Sequence, residues 1–324
     1  MNMIKKYFLQ ILVVLLLIAI AWGLYLIGKV DDNKNNPIQA SIHQTQGDAT
    51  PVKLPTADNV DTIFFPVRNW VVPEPEISAK SAIVFNFKPN NSNNILFKKN
   101  AEQVLPIASL TKLMTAIIAL ENYNPEDVIK VSKDSVDING NNGGLINGEE
   151  LKVRDLLYIM LVESSNDAAM ALAEDGTKID FDTFIYLMNK KAGEMNLENT
   201  QFIEPIGLNS LNQSTAGEMA IIAEHAIKIP LILEILKTSQ TTIFSIDKRF
   251  IHNITNTNKL LGKIPQLIGG KTGFTDEAGG CMVTISNISN ISDNYLITVV
   301  LASSQREDDT SKLIDWAQKA WIWQ

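Results

Sequence analysis

Runs of hydrophobic and polar residues divide the chain into segments that predict different structures. Residues 7–28, YFLQILVVLLLIAIAWGLYLIG, hold no charged residue, and a run of this length can cross a bilayer as a helix. Lys5 and Lys6 precede it, which favours a cytoplasmic N-terminus (1–6) and export of the chain that follows. We therefore expect residues 7–28 to be an uncleaved signal anchor. A signal peptide cleaved after Ala19-Ile20-Ala21 is the alternative.

Residues 29–77 lack the periodicity of helices and strands. The first part, 29–56, is rich in Asn, Gln, Asp and Thr, which predicts a flexible tether. Residues 57–79 carry several prolines, which exclude a regular helix and predict an extended strap lying on the folded body. The folded domain is expected to span 78–324.

Within 78–324 the pattern changes from strands to helices and back to strands. SAIVFNF and NILFKKN flank a turn-rich segment, which predicts a β-hairpin over 81–100. Predicted strands near the end cover QLIGGKTGFT, GCMVTISNI and YLITVVLASS, and a final helix covers 310–323. The predicted helices of the middle part span 109–122, 152–163, 167–176 (ending at Gly176), 179–195 and 215–228.

This order of elements predicts an α+β fold. Strands that follow one another closely, as at the end of this chain, form antiparallel rather than doubly wound parallel sheets. The N-terminal hairpin must then join the C-terminal strands in one antiparallel sheet flanked by helices. The mostly helical middle part becomes an inserted subdomain.

Composition and charge narrow the classes of function. The 324 residues are 45% apolar and 20% charged, which is typical of a globular protein, and the net charge of −8 argues against nucleic acid as a partner. A single cysteine, Cys281, excludes an internal disulfide and a multi-cysteine zinc site. His43, His225 and His252 are far apart and form no ligand-spaced pair, so we expect no metal.

The segment PIASLTKLMTA, 106–116, places Ser109 and Lys112 at the start of an apolar helix. Residues three apart on a helix share one face, about 4.5 Å apart along the axis. Burial and a helix N-terminus both lower the pKa of a lysine, so Lys112 could act as the base for Ser109. The alternative is a surface lysine at the start of an ordinary helix.

Two further motifs lie at breaks between elements. In ESSND, Ser164 and Asn166 could project into a cleft, where a hydroxyl relays a proton and an amide holds a carbonyl or the lysine. Alternatively, Ser165 or Asp167 merely caps the next helix. Lys271-Thr272-Gly273 ends a strand with a cation, a hydroxyl and no side chain, a set that suits a carboxylate and a close backbone. The alternative here is a strand-to-turn junction with a surface lysine.

Taken together, Ser-x-x-Lys, Ser-x-Asn and Lys-Thr-Gly, spaced 55 and 107 residues apart, resemble the active-site serine penicillin-recognising enzymes. Within that group, the chain resembles the low-molecular-mass penicillin-binding proteins that are D-alanyl-D-alanine carboxypeptidases. The matching segments are ASLTKLMTA, GEELKVRDLLYIMLVESSNDAAMALAE, EPIGLN with STAGEMA, and GGKTGFTDEAGGC. The resemblance covers about 78–324 and implies a catalytic domain with the serine β-lactamase/transpeptidase-like fold.

The resemblance also implies an acyl-transfer cycle and a role for each residue. Ser109 would attack the penultimate D-alanine carbonyl, Lys112 would accept its proton, and Ser164 would relay a proton to the leaving D-alanine. Backbone N–H groups of Ser109 and Phe274 would form the oxyanion hole, and Thr272 would bind the terminal carboxylate with Arg306. The implied catalytic residues are Ser109, Lys112, Ser164 and Asn166. The implied substrate-binding residues are Lys271, Thr272, Gly273, Phe274, Thr275 and Arg306.

The implied partners are peptidoglycan stem peptides ending in D-Ala-D-Ala, with β-lactams as inhibitors and no cofactor. The chain would sit in a bacterial cell membrane through 7–28, with its catalytic domain on the extracytoplasmic side. For two residues, the role that the resemblance implies has an alternative or departs from the family pattern. Phe274 stands where many family members have histidine, and Arg306 could instead pair with Asp308 or Asp309.

Four other functions remain as alternatives. A class A β-lactamase needs a glutamate and an asparagine after the second motif, and Glu204 and Asn209 are a near match. A DD-endopeptidase would differ in the shape of the cleft near 139–147 and 274–280. A non-catalytic penicillin-binding sensor would have no need of an intact nucleophile and base. A Ser-His-Asp hydrolase is disfavoured because no Gly-x-Ser-x-Gly surrounds any serine.

Overall fold

One antiparallel sheet joins the beginning and the end of the folded part of the chain. The computed structural model describes residues 66–88, 94–174, 178–288 and 294–323, all within a compact unit, Thr62–Gln324. The predicted anchor and tether lie outside these residues. None of the helices in the described ranges is long and apolar enough to cross a membrane.

The central sheet has five antiparallel strands in the order β10 (Leu267–Thr275), β11 (Gly279–Asn287), β12 (Tyr295–Ser303), β2 (Ser81–Phe87) and β3 (Asn94–Lys99). Strand β12 pairs with β2, Val299 opposite Ile83, so the predicted union of the N-terminal hairpin with the C-terminal strands is confirmed. The strands are β1 (Val67–Arg68), β2 (Ser81–Phe87), β3 (Asn94–Lys99), β4 (Leu105–Pro106), β5 (Val128–Lys130), β6 (Glu150–Lys152), β7 (Gln213–Ser214), β8 (Gln240–Phe244), β9 (Ile251–Thr255), β10 (Leu267–Thr275), β11 (Gly279–Asn287), β12 (Tyr295–Ser303) and β13 (Trp321–Ile322).

Helices cover both faces of this sheet, because both faces carry apolar side chains. A 3-10 turn, Ala108–Thr111, precedes the first of them. The α-helices are α1 (Lys112–Asn122), α2 (Lys133–Val136), α3 (Val153–Val162), α4 (Asn166–Ala173), α5 (Phe181–Glu194), α6 (Ala216–Ile227), α7 (Pro230–Lys237) and α8 (Arg306–Ala320).

The alternation of side chains along β2 and β12 builds a separate core on each face. On one face Ile83, Phe85 and Val299 pack into the large core shared with the helical middle part. On the other face Val84 and Val300 pack with Trp316 and the rest of α8. The α+β class expected from the sequence is confirmed.

Element ends differ from the predictions at several places. The helix predicted over 167–176 ends at Ala173, with Glu174 as its C-cap, and Gly176 lies outside the described residues. The C-terminal helix begins at Arg306, and the predicted extension to 323 is wrong because Trp321–Ile322 leave the helix to pair with β1. The hairpin of β8 and β9 was not predicted.

Candidate active site

Ser109 lies in the 3-10 turn immediately before α1, and not within the α-helix itself. The preceding residue, Ala108, has a φ of +47°, in the left-handed region that few non-glycine residues adopt. Thr111 Oγ1 donates to the Ala108 carbonyl oxygen at 2.8 Å and closes the turn. Backbone in such a conformation is concentrated at functional sites, where the surrounding structure holds it.

Lys112 is fully buried and points back to Ser109. Its Nζ lies 2.9 Å from Ser109 Oγ, 2.8 Å from Asn166 Oδ1 and 2.7 Å from the Ile206 carbonyl oxygen. Burial lowers the pKa of Lys112 to about 7, and the negative charges of Glu204 and Asp167 oppose part of that shift. The amine is therefore neutral in a large fraction of molecules near neutral pH.

The partners of Lys112 decide where its lone pair points. Asn166 Nδ2 donates to the Asn139 carbonyl oxygen at 2.8 Å, which leaves Asn166 Oδ1 facing the lysine. The Asn166 oxygen and the Ile206 carbonyl can only accept hydrogen bonds. A neutral Lys112 has two N–H groups for these two acceptors, so its lone pair faces the hydroxyl of Ser109. This is the arrangement of a nucleophile and its base.

The second motif contributes a hydroxyl from the break between α3 and α4. Ser164 has a φ of +67°, and its Oγ accepts from Lys271 Nζ at 2.7 Å. Ser165 is the N-cap of α4 and accepts from the N–H of Ala168 at 3.1 Å. Ser165 therefore caps α4, and the neighbouring Ser164 contacts Lys271 of the third motif.

Lys271 reaches the site from β10, the edge strand of the central sheet. Its Nζ is buried and also donates to the Thr272 carbonyl oxygen at 2.8 Å. Burial, followed by the positive charges of Lys112 and Arg306, holds the pKa of Lys271 well below its ordinary value. The site thus contains two lysine–serine pairs, and both lysines are buried.

Gly273 allows β10 to touch the turn that carries the nucleophile. A Cβ at this position would lie 2.9 Å from the Ser109 backbone nitrogen, closer than real Cβ atoms come, and 3.1 Å from the Ala108 Cβ, a tight contact. Gly273 therefore lies against the backbone N–H of Ser109, one of the two oxyanion donors that the resemblance implies.

Arg306, the first residue of α8, contacts the backbone of β10 at Gly273. Its Nη1 donates to the Gly273 carbonyl oxygen at 2.6 Å, and its Nε forms an ion pair with Glu307 at 3.0 Å. The suggested pairing of Arg306 with Asp308 or Asp309 is not what the structure shows, because Asp308 pairs with Lys312. Asp309 instead accepts from Ser78, Ala79 and Ser303.

The remaining predicted residues of β10 differ in their surroundings. Thr272 is buried, and its Oγ1 lies 2.6 Å from Thr257 Oγ1. Phe274 is 62% exposed, so its ring stands on the rim of the cleft. Thr275 Oγ1 accepts from the N–H of Ala278 at 3.0 Å, which stabilises the turn between β10 and β11.

Sequence reasoning did not anticipate that the loop of residues 204–212 contacts Lys112 through a backbone carbonyl. Glu204, considered only as a β-lactamase base, accepts from the N–H groups of Ile206 at 2.5 Å, Gly207 at 2.8 Å and Asn209 at 3.1 Å. These contacts shape the loop whose Ile206 carbonyl accepts from Lys112. The buried Asn212 closes the loop by donating to Thr111 Oγ1 at 3.1 Å.

A second wall is the loop of residues 139–147, which the sequence placed near the cleft without indicating its contacts. Asp167, buried at the start of α4, accepts from the N–H groups of Gly143 at 2.9 Å and Leu145 at 3.0 Å. The Asn139 carbonyl from the same loop orients Asn166. Among the residues that the structure describes, no cluster of three His, Cys, Asp or Glu side chains could hold a metal ion.

Comparison with known proteins gives the same assignment along most of the chain. The family model described as D-alanyl-D-alanine carboxypeptidase matches residues 69–305, which include all three motifs. The D-alanyl-D-alanine endopeptidase of Pseudomonas aeruginosa is 30% identical over 248 residues, which is 75% of this chain and 78% of that protein. The D-alanyl-D-alanine carboxypeptidase DacF of Bacillus subtilis is 31% identical over 248 residues, 74% of this chain but 62% of DacF.

Solved structures show the same fold. The crystal structure of the Streptomyces K15 DD-transpeptidase superimposes with a TM-score of 0.69 at 31% identity, and the match covers 76% of this chain and 98% of that one. The penicillin-binding/transpeptidase fold expected from the three motifs is therefore confirmed. Curated relatives include both carboxypeptidases and endopeptidases, such as the endopeptidase of Escherichia coli at 29% identity.

Proposed function

The chain belongs to the D-alanyl-D-alanine carboxypeptidase family of serine peptidases, and from that premise we propose that it removes the terminal D-alanine from peptidoglycan stem peptides. The observation that carries the proposal is the contact of 2.9 Å between Ser109 Oγ and the buried Lys112 Nζ, whose pKa is about 7. A neutral amine with its lone pair on the serine hydroxyl activates that serine for acyl transfer.

In the proposed cycle, Ser109 Oγ attacks the penultimate D-alanine carbonyl carbon while Lys112 takes the serine proton. The N–H groups of Ser109 and Phe274 stabilise the negative charge that develops on the carbonyl oxygen. As the C–N bond breaks, Ser164, hydrogen-bonded to Lys271, relays the proton that Lys112 took up to the amine of the departing D-alanine. Water then hydrolyses the ester on Ser109, and β-lactams stop the cycle at the ester stage.

Thr272 and Arg306 are proposed to bind the carboxylate of the terminal D-alanine. Arg306 donates to the Gly273 carbonyl at the edge of β10, which places its guanidinium beside that strand. The Glu307 carboxylate pairs with it and offsets part of its charge.

We further propose that residues 7–28 anchor the chain, with the site on the extracytoplasmic side.

A DD-endopeptidase is the second candidate. The relatives from Pseudomonas aeruginosa and Escherichia coli carry that name, and this chain covers 78% and 79% of their lengths. Both reactions break a bond after D-alanine, so the same serine, lysines and oxyanion donors serve either one. The difference lies in the space available to the leaving group, which is a single D-alanine in one case and a cross-linked stem in the other.

The test uses the full-length chain in detergent, with Ser109→Ala as the control. We expect penicillin to add its mass to the wild type as a long-lived adduct that the variant lacks. Release of D-alanine from a pentapeptide, without cleavage of a cross-linked dimer, would establish the carboxypeptidase. Cleavage of the dimer alone would establish the endopeptidase, and rapid penicillin hydrolysis without an adduct would contradict both.

A further inference from the structure

The hairpin of β8 and β9 presents a regular outer face. Its register places Thr242 opposite Asn253 and Phe244 opposite Ile251. Ile243 and Ile254 point to the other side and are buried in the large core. Because side chains alternate along a strand, every second residue of β8 and β9 points to the opposite face, which is exposed. This hairpin face consists of Gln240, Thr242, Phe244, Ile251, Asn253 and Thr255.

The hairpin face has a distinct chemistry, since none of its six residues is charged. It offers hydroxyl and amide groups at one end, where Thr242 Oγ1 donates to Asn253 Oδ1 at 2.9 Å. At the other end two apolar side chains lie side by side, Phe244 at 49% exposure and Ile251 at 58%. A cleft of ≈ 380 Å³ is lined by 240–242 and 253–255. Exposed apolar side chains next to neutral hydrogen-bonding groups suit a ligand that has both kinds of surface.

One end of the hairpin face adjoins the candidate active site. Strand β9 ends at Thr255, and two residues later Thr257 Oγ1 lies 2.6 Å from Thr272 Oγ1 of the Lys-Thr-Gly motif. Two extended residues span at most about 7 Å. On its inner side the hairpin also meets the cleft wall, where His252 Nδ1 lies 3.2 Å from the Gly143 carbonyl oxygen. The Thr255 end of the hairpin face therefore lies close to the Lys-Thr-Gly motif, and Phe244 and Ile251 lie at the far end of the hairpin.

We propose that the hairpin face binds the neutral, N-acetylated glycan strand to which the stem peptide is attached. A sugar ring presents apolar C–H groups on its faces and hydroxyl and acetamido groups on its edges. The Phe244 ring and Ile251 suit those faces, and the side chains of Thr242 and Asn253 suit those edges. This inference rests on the proposed function, because the glycan is the sugar part of the same substrate.

Charge argues against other occupants of this face. An anionic polymer would require lysine or arginine side chains along the face, and the six residues include none. Lys152, Arg154 and Lys248 line a neighbouring cleft at the Phe244 end, where Glu126 pairs with the first two. A lipid surface would require a wider apolar patch than one phenylalanine and one isoleucine, without the amides of Gln240 and Asn253. A neutral sugar chain uses both halves of the hairpin face.

The binding test uses the full-length chain and the hexamer of N-acetylglucosamine, a neutral β-1,4-linked probe, followed by calorimetry. We expect Phe244→Ala to weaken binding about fivefold to tenfold, the effect of one lost ring contact. Ile251→Ala should weaken binding as well. The matched control is Ile95→Ala, another strand isoleucine of 55% exposure but on β3. No binding by the wild type, or binding that all three variants retain, would overturn the proposal.

A kinetic test separates this inference from the proposed function. The value of kcat/KM is compared for a free pentapeptide and for the same peptide attached to a glycan strand. We expect Phe244→Ala to raise KM for the glycan-linked peptide alone and to leave the free peptide and penicillin acylation unchanged. Equal loss on both peptides would contradict a glycan site. If the wild type cleaves neither peptide, the proposed function fails, and the hexamer titration still decides the glycan site.

Discussion

Lys112 sets the pH dependence of the site at the scale of single residues. Burial lowers its pKa to about 7, so the neutral amine becomes rarer below that pH. We expect the penicillin acylation rate to rise about tenfold per pH unit below 7 and to level off above it, because only the neutral form accepts the serine proton. Intact-mass kinetics between pH 5 and 9 measures this profile, with Lys112→Met as the inactive control. A flat profile would contradict the role of Lys112 as the base.

Glu204 gives a second test on this scale, because its contacts suggest positioning and not water activation. Its carboxylate accepts three backbone N–H groups of the loop that presents the Ile206 carbonyl to Lys112. Glu204→Gln would turn one acceptor into a donor facing those N–H groups. We expect a loss of about 1–3 kcal/mol in the free energy of unfolding. We also expect slower penicillin acylation.

The outcome for Glu204 separates two enzymes. If Glu204 were the base of a β-lactamase, Glu204→Gln would leave acylation intact and lengthen the life of the adduct. If Glu204 positions the loop, Glu204→Gln slows acylation itself. The matched control is Glu198→Gln, an exposed glutamate shortly before the same loop. Urea unfolding and time-resolved intact mass give both quantities on the same preparations.

Side-chain partners of the site could be anticipated from the sequence, and backbone partners could not. The spacing of Ser109 and Lys112 on one helix face is a local property, and the resemblance supplied Ser164 and Lys271. The carbonyls of Ile206 and Asn139 belong to loops whose path depends on tertiary contacts. No side-chain pattern encodes which carbonyl will face a lysine.

At the scale of elements, the loop after Glu204 packs against the turn that carries Ser109. Gly207 has a φ of +95°, and a Cβ there would lie 2.0 Å from the Ala108 carbonyl oxygen. We expect Gly207→Ala to lose about 1–2 kcal/mol for the left-handed backbone. Displacement of the Ala108 turn should add about 1–3 kcal/mol more. Penicillin acylation should fall with it, because the displaced turn holds Ser109.

Gly262→Ala is the matched control for this loop contact. Gly262 also has a positive φ, +80°, but no atom lies within 4 Å of a Cβ built there. Its substitution should therefore show the backbone cost alone and leave acylation unchanged. Equal losses of stability in the two variants, measured by urea unfolding, would show that the contact of Gly207 with Ala108 is unimportant.

The elements that the sequence predicted are those with a long, regular pattern. Helices such as α1 and α3 are apolar over several turns, and β10, β11 and β12 are each nine residues long. Strands of two to five residues, such as β8 and β9, gain their stability by pairing and by packing on α3. A five-residue window carries too little pattern to reveal them.

At the scale of the whole molecule, the two ends of the described chain are joined. Strand β1 pairs with β13, and the Arg68 guanidinium lies 4.8 Å from the ring centroid of Trp316 in α8. The strap expected over 57–79 is described from residue 66, and part of it forms β1. The final helix of the sequence prediction included Trp321–Ile322, because a partner strand more than 250 residues away cannot be seen in a local pattern.

Asp309, near the start of α8, binds the segment just before β2 and is the subject of the last prediction. Its carboxylate accepts from Ser78 N at 2.9 Å, Ala79 N at 2.8 Å and Ser303 Oγ at 2.6 Å. Burial alone would raise the pKa of Asp309, but these hydrogen bonds outweigh it and lower the pKa below 3.8. We expect Asp309→Asn to lose about 1–3 kcal/mol of unfolding free energy at pH 7, since an amide group cannot accept all of these bonds.

The pH dependence of that loss identifies the ionised carboxylate as its cause. A carboxylate whose pKa is lower in the folded state stabilises the fold above the unfolded pKa, and this contribution disappears as pH falls through the folded value. The difference between wild type and Asp309→Asn should therefore be constant from pH 5 to 8 and shrink below about 4. Asp308→Asn is the matched control, since Asp308 is a half-exposed neighbour paired with Lys312 in an i,i+4 bridge. Its substitution should change stability by less than about 0.5 kcal/mol. Equal losses from the two variants in urea unfolding would mean that α8 and residues 78–79 are held together by their apolar contacts and not by Asp309.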